Sequence, residues 1–255
     1  NMPLGFKHSS LGSGNSYQNP IKYVEDILKL ENQLHQRFRD GSDLEKERYH
    51  LFYLCKSFNY TGYRLNNEDI YKYFPYGKNQ LKNFLERGIF YYDQFLSTFP
   101  DSGESWYLHY LKAELLERLS RDEEAIFHYR ESHALRPSRG EPLSRLFWIY
   151  YKKNQYDHAL EFSFKLKELE CPIENDAWQL QLDSYFENNW RLRDAIAVVF
   201  ERMGSHTRSE DLLNLSLDIF EKLRNEPDLT GEIERLDKNI IYAQKQIKNI
   251  NEEEN

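Results

Sequence analysis

A spacing of 34 residues between two similar stretches is the feature that most limits how this chain can fold. Residues 114–137 and 148–171 align without a gap. The matched positions are Leu116 with Tyr150, Ser120 with Asn154, Ala125 with Ala159, and Leu135 with Leu169. Self-similarity at a fixed period of roughly 20–50 residues is typical of proteins built from stacked structural repeats. The sequence therefore predicts helix–turn–helix units, with the recurring alanine where two helices approach closely.

The period and its residue pattern resemble those of the tetratricopeptide repeat (TPR) family. The matching positions are Ala113, Leu116, Ala125, Tyr129, Ser132 and Pro137 in one unit, then Phe147, Tyr150, Tyr156, Ala159, Leu166 and Leu169 in the next. The resemblance implies an all-α fold, an α-solenoid of TPR-like helix–turn–helix repeats. Such repeats wind into a right-handed superhelix with a concave groove.

Weaker matches extend this organisation along the chain. We predict a TPR-like α-solenoid over 19–250, with these parts: a lead-in helix over 19–38, repeats over about 47–100, 106–137, 141–171 and 176–204, and capping helices over 209–250. Gly88 takes the small position of the first repeat, which also contains an insertion at 61–78. Residues 1–18 are expected to be a linker or the remnant of an upstream domain, and 251–255 an acidic tail.

Composition excludes several classes of function. The formal net charge of −8 opposes general nucleic-acid binding, which depends on neutralising phosphates. No stretch approaches the ~18 apolar residues of a membrane-spanning helix. Cys55 and Cys171 stand 116 positions apart on apolar-periodic segments, so we expect buried free thiols in a reducing compartment. A cytoplasmic location follows as an expectation.

Catalytic and metal-binding motifs are missing from the sequence. It contains no glycine-rich phosphate loop, no nucleophile elbow and no pair of histidines in H-E-x-x-H spacing. His128 and His133 are five positions apart, which separates them by about 140° around a helix. We therefore predict no enzyme activity, no cofactor and no metal. The acidic run 122–124 is expected to begin a helix, where it complements the helix dipole.

Aromatic and basic residues on the first helices of the repeats are the candidate binding residues. We predict a partner-binding groove lined by Tyr107, Tyr110, Arg139, Arg145, Trp148 and Tyr151. Trp148 and Tyr151 should point away from the core positions that Phe147 and Tyr150 occupy. The primary hypothesis is a non-catalytic scaffold that binds a protein or peptide. The alternative is a glycan-binding module that presents an acceptor saccharide through the concave aromatic groove.

The turn "LRPSRGEPLSRL" (135–146) separates two repeats. Pro137 is expected to end one helix. Ser138 and Glu141 have the spacing of a capping box, in which the Ser oxygen and the Glu carboxylate accept hydrogen bonds from free backbone amides. Pro142 suits the first turn of the next helix, where its missing N–H is not needed. The turn is therefore predicted to be a structural hinge.

Residues 116–166, which contain this turn, resemble the helical-repeat region that follows the catalytic domain in bacterial family 2 glycosyltransferases. The matching residues are Arg136, Pro137, Ser138, Arg139, Glu141, Pro142, Leu143, Leu146 and Tyr150. The resemblance implies an accessory domain without transferase activity, because the strands and D-x-D motif of the catalytic domain have no counterpart here. Its implied partners are a protein, a glycosyltransferase catalytic domain or a second copy of this chain.

Overall fold

The computed structural model describes residues 44–64, 78–169 and 189–253, together with Ile27, Lys29, Glu31 and Asn32. The helices in these ranges are α1 (Leu44–Arg64), α2 (Lys78–Thr98), α3 (Ser105–Arg118), α4 (Asp122–Leu135), α5 (Glu141–Lys152), α6 (Tyr156–Glu168), α7 (Trp190–Thr207), α8 (Glu210–Arg224), a 3-10 helix (Pro227–Glu232) and α9 (Ile233–Glu253). None of the described residues belongs to a strand. The predicted all-α helical-repeat fold is confirmed.

The helices form two compact units, residues 1–135 and 136–255. Unit 1 contains α1–α4, and unit 2 contains α5–α9 with the 3-10 helix. The division falls within the turn that the sequence predicts as a hinge between repeats. The acidic run at 122–124 begins α4, as predicted.

Gly88 is the point in unit 1 where three helices meet. A Cβ atom added at Gly88 would lie 3.0 Å from Cβ of Phe58 on α1 and 3.1 Å from Cδ1 of Leu115 on α3. The small residue therefore allows α2 to approach both neighbours, as its repeat position predicts. On the same helix pair, the buried Tyr92 hydroxyl donates a hydrogen bond of 2.7 Å to the Cys55 carbonyl.

The turns after α3 and α5 share one backbone geometry. Ser120 (φ 58°) and Asn154 (φ 56°) are both left-handed, and they are one of the pairs separated by 34 positions. In each turn the following N–H donates to the carbonyl four positions before the left-handed residue, at 2.9 and 3.0 Å. Left-handed backbone at a helix end is normally provided by glycine. The repeat therefore keeps the backbone geometry while its side chain varies.

Small residues also set the spacing of the helices in unit 2. Ala159 is 0% exposed on α6, and Ala195 is 3% exposed on α7. A Cβ atom added at Gly204 would lie 2.8 Å from Cγ of Leu213, at the contact between α7 and α8. The alanine predicted from the repeat alignment is thus a buried contact point.

The last helix differs from the prediction at both ends. The sequence analysis predicts capping helices over 209–250, but within that range Pro227–Glu232 is a 3-10 helix and α9 begins at Ile233. Pro227 and Gly231 disfavour α-helix, and the buried Leu229 anchors the turn to the core of α7–α9. The acidic end predicted as a tail is helical as far as Glu253.

The predicted capping box before α5 is wrong. The residue that precedes the helix is Gly140, and no side chain caps it. Instead, Glu141 forms an ion pair with Arg139, whose Nε lies 3.1 Å from the carboxylate. The helix begins two positions later than the box requires, and a charge-assisted pair takes the carboxylate. Pro142 does occupy the first turn, as predicted.

The thiol prediction is confirmed for Cys55, which is buried and free. Burial raises the pKa of this thiol well above its ordinary value. Several predictions lie outside the described residues: the linker 1–18, most of the lead-in helix 19–38, the insertion beyond residue 64, and residues 170–188, which include Cys171.

Candidate partner-binding surface

The first helix of unit 1 has two faces that differ in burial. Leu51, Leu54, Cys55 and Phe58 are buried at spacings of three and four and form the core face. The same rhythm, displaced around the helix, places Tyr49, Phe52, Tyr53 and Lys56 on a second face. Tyr49 is 49% exposed, and the other three are half-buried.

This second face joins aromatic residues of α3. The ring centroids of Phe52 and Tyr107 are 6.5 Å apart, and those of Trp106 and Tyr107 are 5.4 Å apart. Arg48 fixes α1 against the start of α3 through an ion pair of 2.7 Å with Glu104. We call the set Tyr49, Phe52, Tyr53, Lys56, Trp106 and Tyr107 the aromatic surface.

A lysine lies at the centre of the aromatic surface. The Lys56 Nζ is 5.5 Å from the ring centroid of Phe52, 5.8 Å from that of Tyr53 and 5.9 Å from that of Tyr107. Attraction to the ring faces stabilises the ammonium in this position. Among the described residues, Lys56 has no hydrogen-bond acceptor and no ion-pair partner. Its N–H donors are therefore available to an acceptor from another molecule.

Two tyrosines on α1 interact within the aromatic surface. The ring centroids of Tyr49 and Tyr53 are 4.4 Å apart. The hydrogen bond with Tyr49, followed by burial, raises the pKa of Tyr53. Tyr53 therefore stays neutral near pH 7, and the two tyrosines present an amphipathic face, apolar on the ring and polar at the hydroxyl.

Tyr110 has a structural role beside this surface. Its hydroxyl donates to Oε1 of Glu114 at 3.2 Å, and Asn59 Nδ2 donates to Oε2 of the same carboxylate at 3.0 Å. Its ring also packs against Tyr129 on α4, with centroids 5.7 Å apart. The side chain thus connects three helices of unit 1.

The aromatic residues predicted on α5 lie in unit 2. Phe147 is 0% exposed and Tyr150 is 9% exposed, while Trp148 and Tyr151 are half-buried. Tyr151 stacks on Phe147 with centroids 5.6 Å apart and meets Trp148 edge-on at 5.5 Å. Burial is the main cause that raises the pKa of Tyr151.

The two predicted arginines also lie in unit 2. Arg139 is directed to Glu141 in its own turn, and Arg145 is half-buried on α5. Of the six predicted lining residues, Tyr107 and Tyr110 belong to unit 1 and the other four to unit 2. Their assembly into one groove stays a prediction.

Sequence analysis missed the exposed face of α1. The signal was present in "YHLFYLCK" (49–56), where a second set of residues recurs at spacings of three and four. Only the other set, Leu51, Leu54, Cys55 and Phe58, matches the repeat positions. A helix between a core and a surface can carry two such sets, and the partly exposed one is available for binding.

A histidine pair between α3 and α4 was also missed. The Nδ1 atoms of His109 and His128 are 2.8 Å apart, and the ring centroids are 5.0 Å apart. The rings therefore meet at their nitrogens, as in an N–H···N hydrogen bond. In the part of the chain that the structure describes, no three His, Cys, Asp or Glu side chains are grouped to hold a metal ion.

The histidine pair is half-buried and lies beside the Lys112 ammonium. Burial, followed by the Lys112 ammonium, lowers the pKa of His109 to about 4 and that of His128 to about 3. Lys112 itself pairs with Asp93 at 2.5 Å. Both rings are therefore neutral near pH 7 and serve the packing of α3 on α4.

No helix among the described residues is both long enough and apolar enough to cross a membrane. Neither the family models nor the curated proteins contain a match to this sequence. Among solved structures, the chain is similar to a tetratricopeptide repeat protein from Parabacteroides merdae ATCC 43184. The two sequences are 16% identical, and the TM-score is 0.34. The alignment covers 89% of this chain and 93% of that chain. It is also similar to a de novo designed helical repeat protein, with 14% identity, coverage of 92% and 100%, and a TM-score of 0.26. Because both TM-scores are below 0.5, the fold assignment rests on the helices of this chain itself.

Proposed function

We propose that this chain is a non-catalytic helical-repeat scaffold that binds a segment of a partner protein through the aromatic surface of unit 1. The observation that carries the proposal is Lys56, whose ammonium lies over three rings and has no acceptor among the described residues. Repeat proteins of stacked helices commonly bind partners through such extended surfaces.

The chemistry of the surface indicates the kind of segment that it binds. Phe52 and Tyr107 offer apolar area beside a cation, and aromatic residues with two side-chain torsions lose little entropy when they are covered. A carboxylate on the partner would form a charge-assisted hydrogen bond with Lys56. The preferred segment therefore carries an acidic residue next to an aromatic or aliphatic one.

The partner that we infer is the catalytic domain of a glycosyltransferase or a related carbohydrate-processing protein. The resemblance of residues 116–166 to the repeat region of such enzymes supports this inference. Several of the matched residues pack in the core, such as Leu143 and Leu146 on α5, which are each 1% exposed. Binding of a second copy of the chain is a competing outcome that sedimentation of the purified protein would reveal.

Protein binding is favoured over the saccharide alternative at Trp148 and Tyr151. A saccharide stacks on an open ring face with carboxylates or amides beside it. Tyr151 instead packs against Phe147, Trp148 and Tyr156. The aromatic surface of unit 1 has a more exposed ring at Tyr49 and a cation for an acidic side chain.

Selection from a random peptide library displayed on phage tests the proposal. Peptides that bind the full chain should be enriched in an acidic residue adjacent to an apolar one. Lys56→Ala and Tyr107→Ala should each weaken the binding of a selected peptide by about tenfold or more, which corresponds to about 1.4 kcal/mol of binding free energy. Lys82→Ala is the matched control, because Lys82 is an exposed lysine on α2.

Circular dichroism melts of each variant would show that the fold is retained. Enriched peptides that bind the Lys56→Ala and Lys82→Ala variants equally well would contradict the proposed surface. Selection that yields no binding peptide would contradict the function itself.

A further inference from the structure

A pocket of about 700 Å³ lies in unit 2, where the turn between α5 and α6 faces the end of α7 and the middle of α9. The residues on which the argument depends are Asn154, Tyr156, Glu201, Arg202 and Tyr242. Its size is in the range of small-molecule sites, which is roughly 300–1,000 Å³.

Both signs of charge line this pocket. The Glu201 carboxylate is half-buried, and it forms no hydrogen bond or ion pair with another described residue. The Arg202 guanidinium lies 5.0 Å from the ring centroid of Tyr156 and has no carboxylate partner among the described residues. An acceptor and a set of donors therefore line the same pocket, and neither has an ion-pair partner among the described residues.

Asn154 adds a further donor. Its Oδ1 accepts a hydrogen bond of 2.8 Å from the Tyr156 hydroxyl, which orients the amide. The Nδ2 group forms no hydrogen bond with a described residue and so retains its two N–H donors. The left-handed backbone of Asn154 places this side chain at the rim of the pocket.

Tyr242 provides the apolar component. It is 45% exposed on α9, next to Ile241, which is 63% exposed. No other aromatic ring of the described residues packs against it. An open aromatic ring beside polar groups can cover the C–H face of a ring-shaped polar ligand.

We propose that this pocket binds a small neutral polyhydroxylated ligand of the saccharide class. Each hydroxyl both donates and accepts a hydrogen bond, so adjacent hydroxyls match a carboxylate beside a guanidinium and an amide. A simple anion is repelled by Glu201 and Asp157, and a simple cation by Arg202. A neutral polyol meets neither repulsion and avoids the desolvation of a full charge.

Burial supports the role of Glu201. Burial is the main cause that raises the pKa of this carboxyl, and Arg202 opposes the shift. Hydroxyl donors from a ligand would stabilise the ionised form and replace the water that burial removes. The inference does not depend on the proposed function, because this pocket and the aromatic surface share no residue and lie in different units.

Saturation-transfer NMR on the full chain tests the proposal with maltose, cellobiose, lactose and N,N′-diacetylchitobiose as probes. At least one disaccharide should receive magnetisation on its ring protons. Tyr242→Ala and Glu201→Gln should each weaken the binding of that disaccharide by about tenfold or more. Tyr242→Ala removes a stacking ring, and Glu201→Gln removes a charged acceptor. Tyr49→Ala, an exposed tyrosine of unit 1, is the matched control and should leave binding unchanged.

Glycine serves as a zwitterionic probe, because Glu201 and Arg202 together could also hold an ammonium and a carboxylate. Binding of glycine in place of the disaccharides would overturn the proposal in favour of an amino-acid site. No transfer to any of the four disaccharides would overturn it as well. Disaccharide binding that the Tyr242→Ala variant retains would also overturn it, since the site would then lie elsewhere.

Discussion

The two histidines between α3 and α4 show how much a single contact depends on the fold. His109 and His128 are 19 positions apart, on different helices, and neither follows a recognisable motif. Packing of α3 on α4 brings their Nδ1 atoms to 2.8 Å, next to the Lys112 ammonium. Sequence alone carries no signal for this distance, since it is set by the packing of two helices.

The histidine pair makes stability depend on pH in the acidic range. The pKa of both rings is lowered by folding, from 6.5 to about 4 and about 3, so the unfolded chain binds protons more readily. Stability that is fully present above pH 6.5 should therefore be lost as the pH falls from about 6.5 to about 3, through the folded pKa of His109 and then that of His128. Glu124 also faces His128, and it limits the loss because its carboxylate attracts the charged imidazolium.

Thermal melts at pH 7 and pH 5 measure this effect. The Tm of the wild-type chain should fall further from pH 7 to pH 5 than the Tm of the His128→Gln variant. The variant has one histidine fewer to protonate. His206→Gln is the control, since His206 is exposed on α7. An equal change in Tm for the wild type and His128→Gln would show that the pair does not titrate in this range.

The left-handed backbone at Ser120 determines how a substitution there changes the stability of the fold. Its φ of 58° disfavours any side chain with a Cβ, and its side chain is exposed. Glycine should relieve about 1 kcal/mol of strain, reduced by the added freedom of the unfolded chain. Ser120→Gly should therefore raise the urea midpoint. Asn154→Gly should gain less, because Asn tolerates this conformation and the change removes the hydrogen bond with Tyr156. A lower midpoint for Ser120→Gly would mean that the Ser side chain stabilises the turn.

At the scale of helices, burial of the repeat positions could be predicted from the sequence, but exposure of the second face of α1 could not. Ala125 and Ala159 are both 0% exposed at the spacing of 34 residues that the alignment shows. The periodicity of α1 reveals two apolar sets, but which of them is buried depends on the helices that pack beside it. The aromatic surface could therefore be seen as a pattern in the sequence without being recognised as exposed.

Gly88 allows a test of helix spacing. Gly88→Ala would place a Cβ atom 3.0 Å from Phe58 and 3.1 Å from Leu115, while alanine improves helix propensity by up to about 1 kcal/mol. Overpacking of this kind costs about 1–3 kcal/mol, so the net change should be a loss of about 1 kcal/mol. Gly103→Ala is the control, because nothing lies within 4 Å of its added Cβ atom. Denaturation in urea measures both, and equal stability of the two variants would contradict the close approach at Gly88.

At the scale of the whole molecule, the chain divides at a turn that its sequence marks clearly. Pro137 follows the end of α4, and Pro142 lies in the first turn of α5. The ion pair of Arg139 with Glu141, in contrast, could not be separated in advance from a capping box. In either arrangement the Glu141 carboxylate accepts hydrogen bonds, from backbone amides in a capping box or from Arg139 in the ion pair. The start of α5 at Glu141, rather than at residue 139, shows that the ion pair forms.

Unit 2 has a core of its own. Phe220, Leu223 and Leu236 are buried together between α8 and α9. We expect a fragment of residues 136–255 to be helical by circular dichroism and to melt cooperatively, since about 100 residues are enough for an independent core. The full chain measured alongside gives the reference signal per residue. A fragment without a cooperative melt would show that unit 2 needs residues 1–135 to fold.

The all-α repeat fold, its spacing of 34 residues and the turns that end the helices could be predicted from the amino-acid sequence. These properties follow from short-range periodicity, backbone preferences and proline, all of which act within a few residues. Tertiary structure decided which face of α1 is exposed, which carboxylate Arg139 meets, and where Glu201 and Tyr242 share a pocket. Such contacts join residues tens of positions apart, and their distances are set by how helices pack rather than by any residue's own preference.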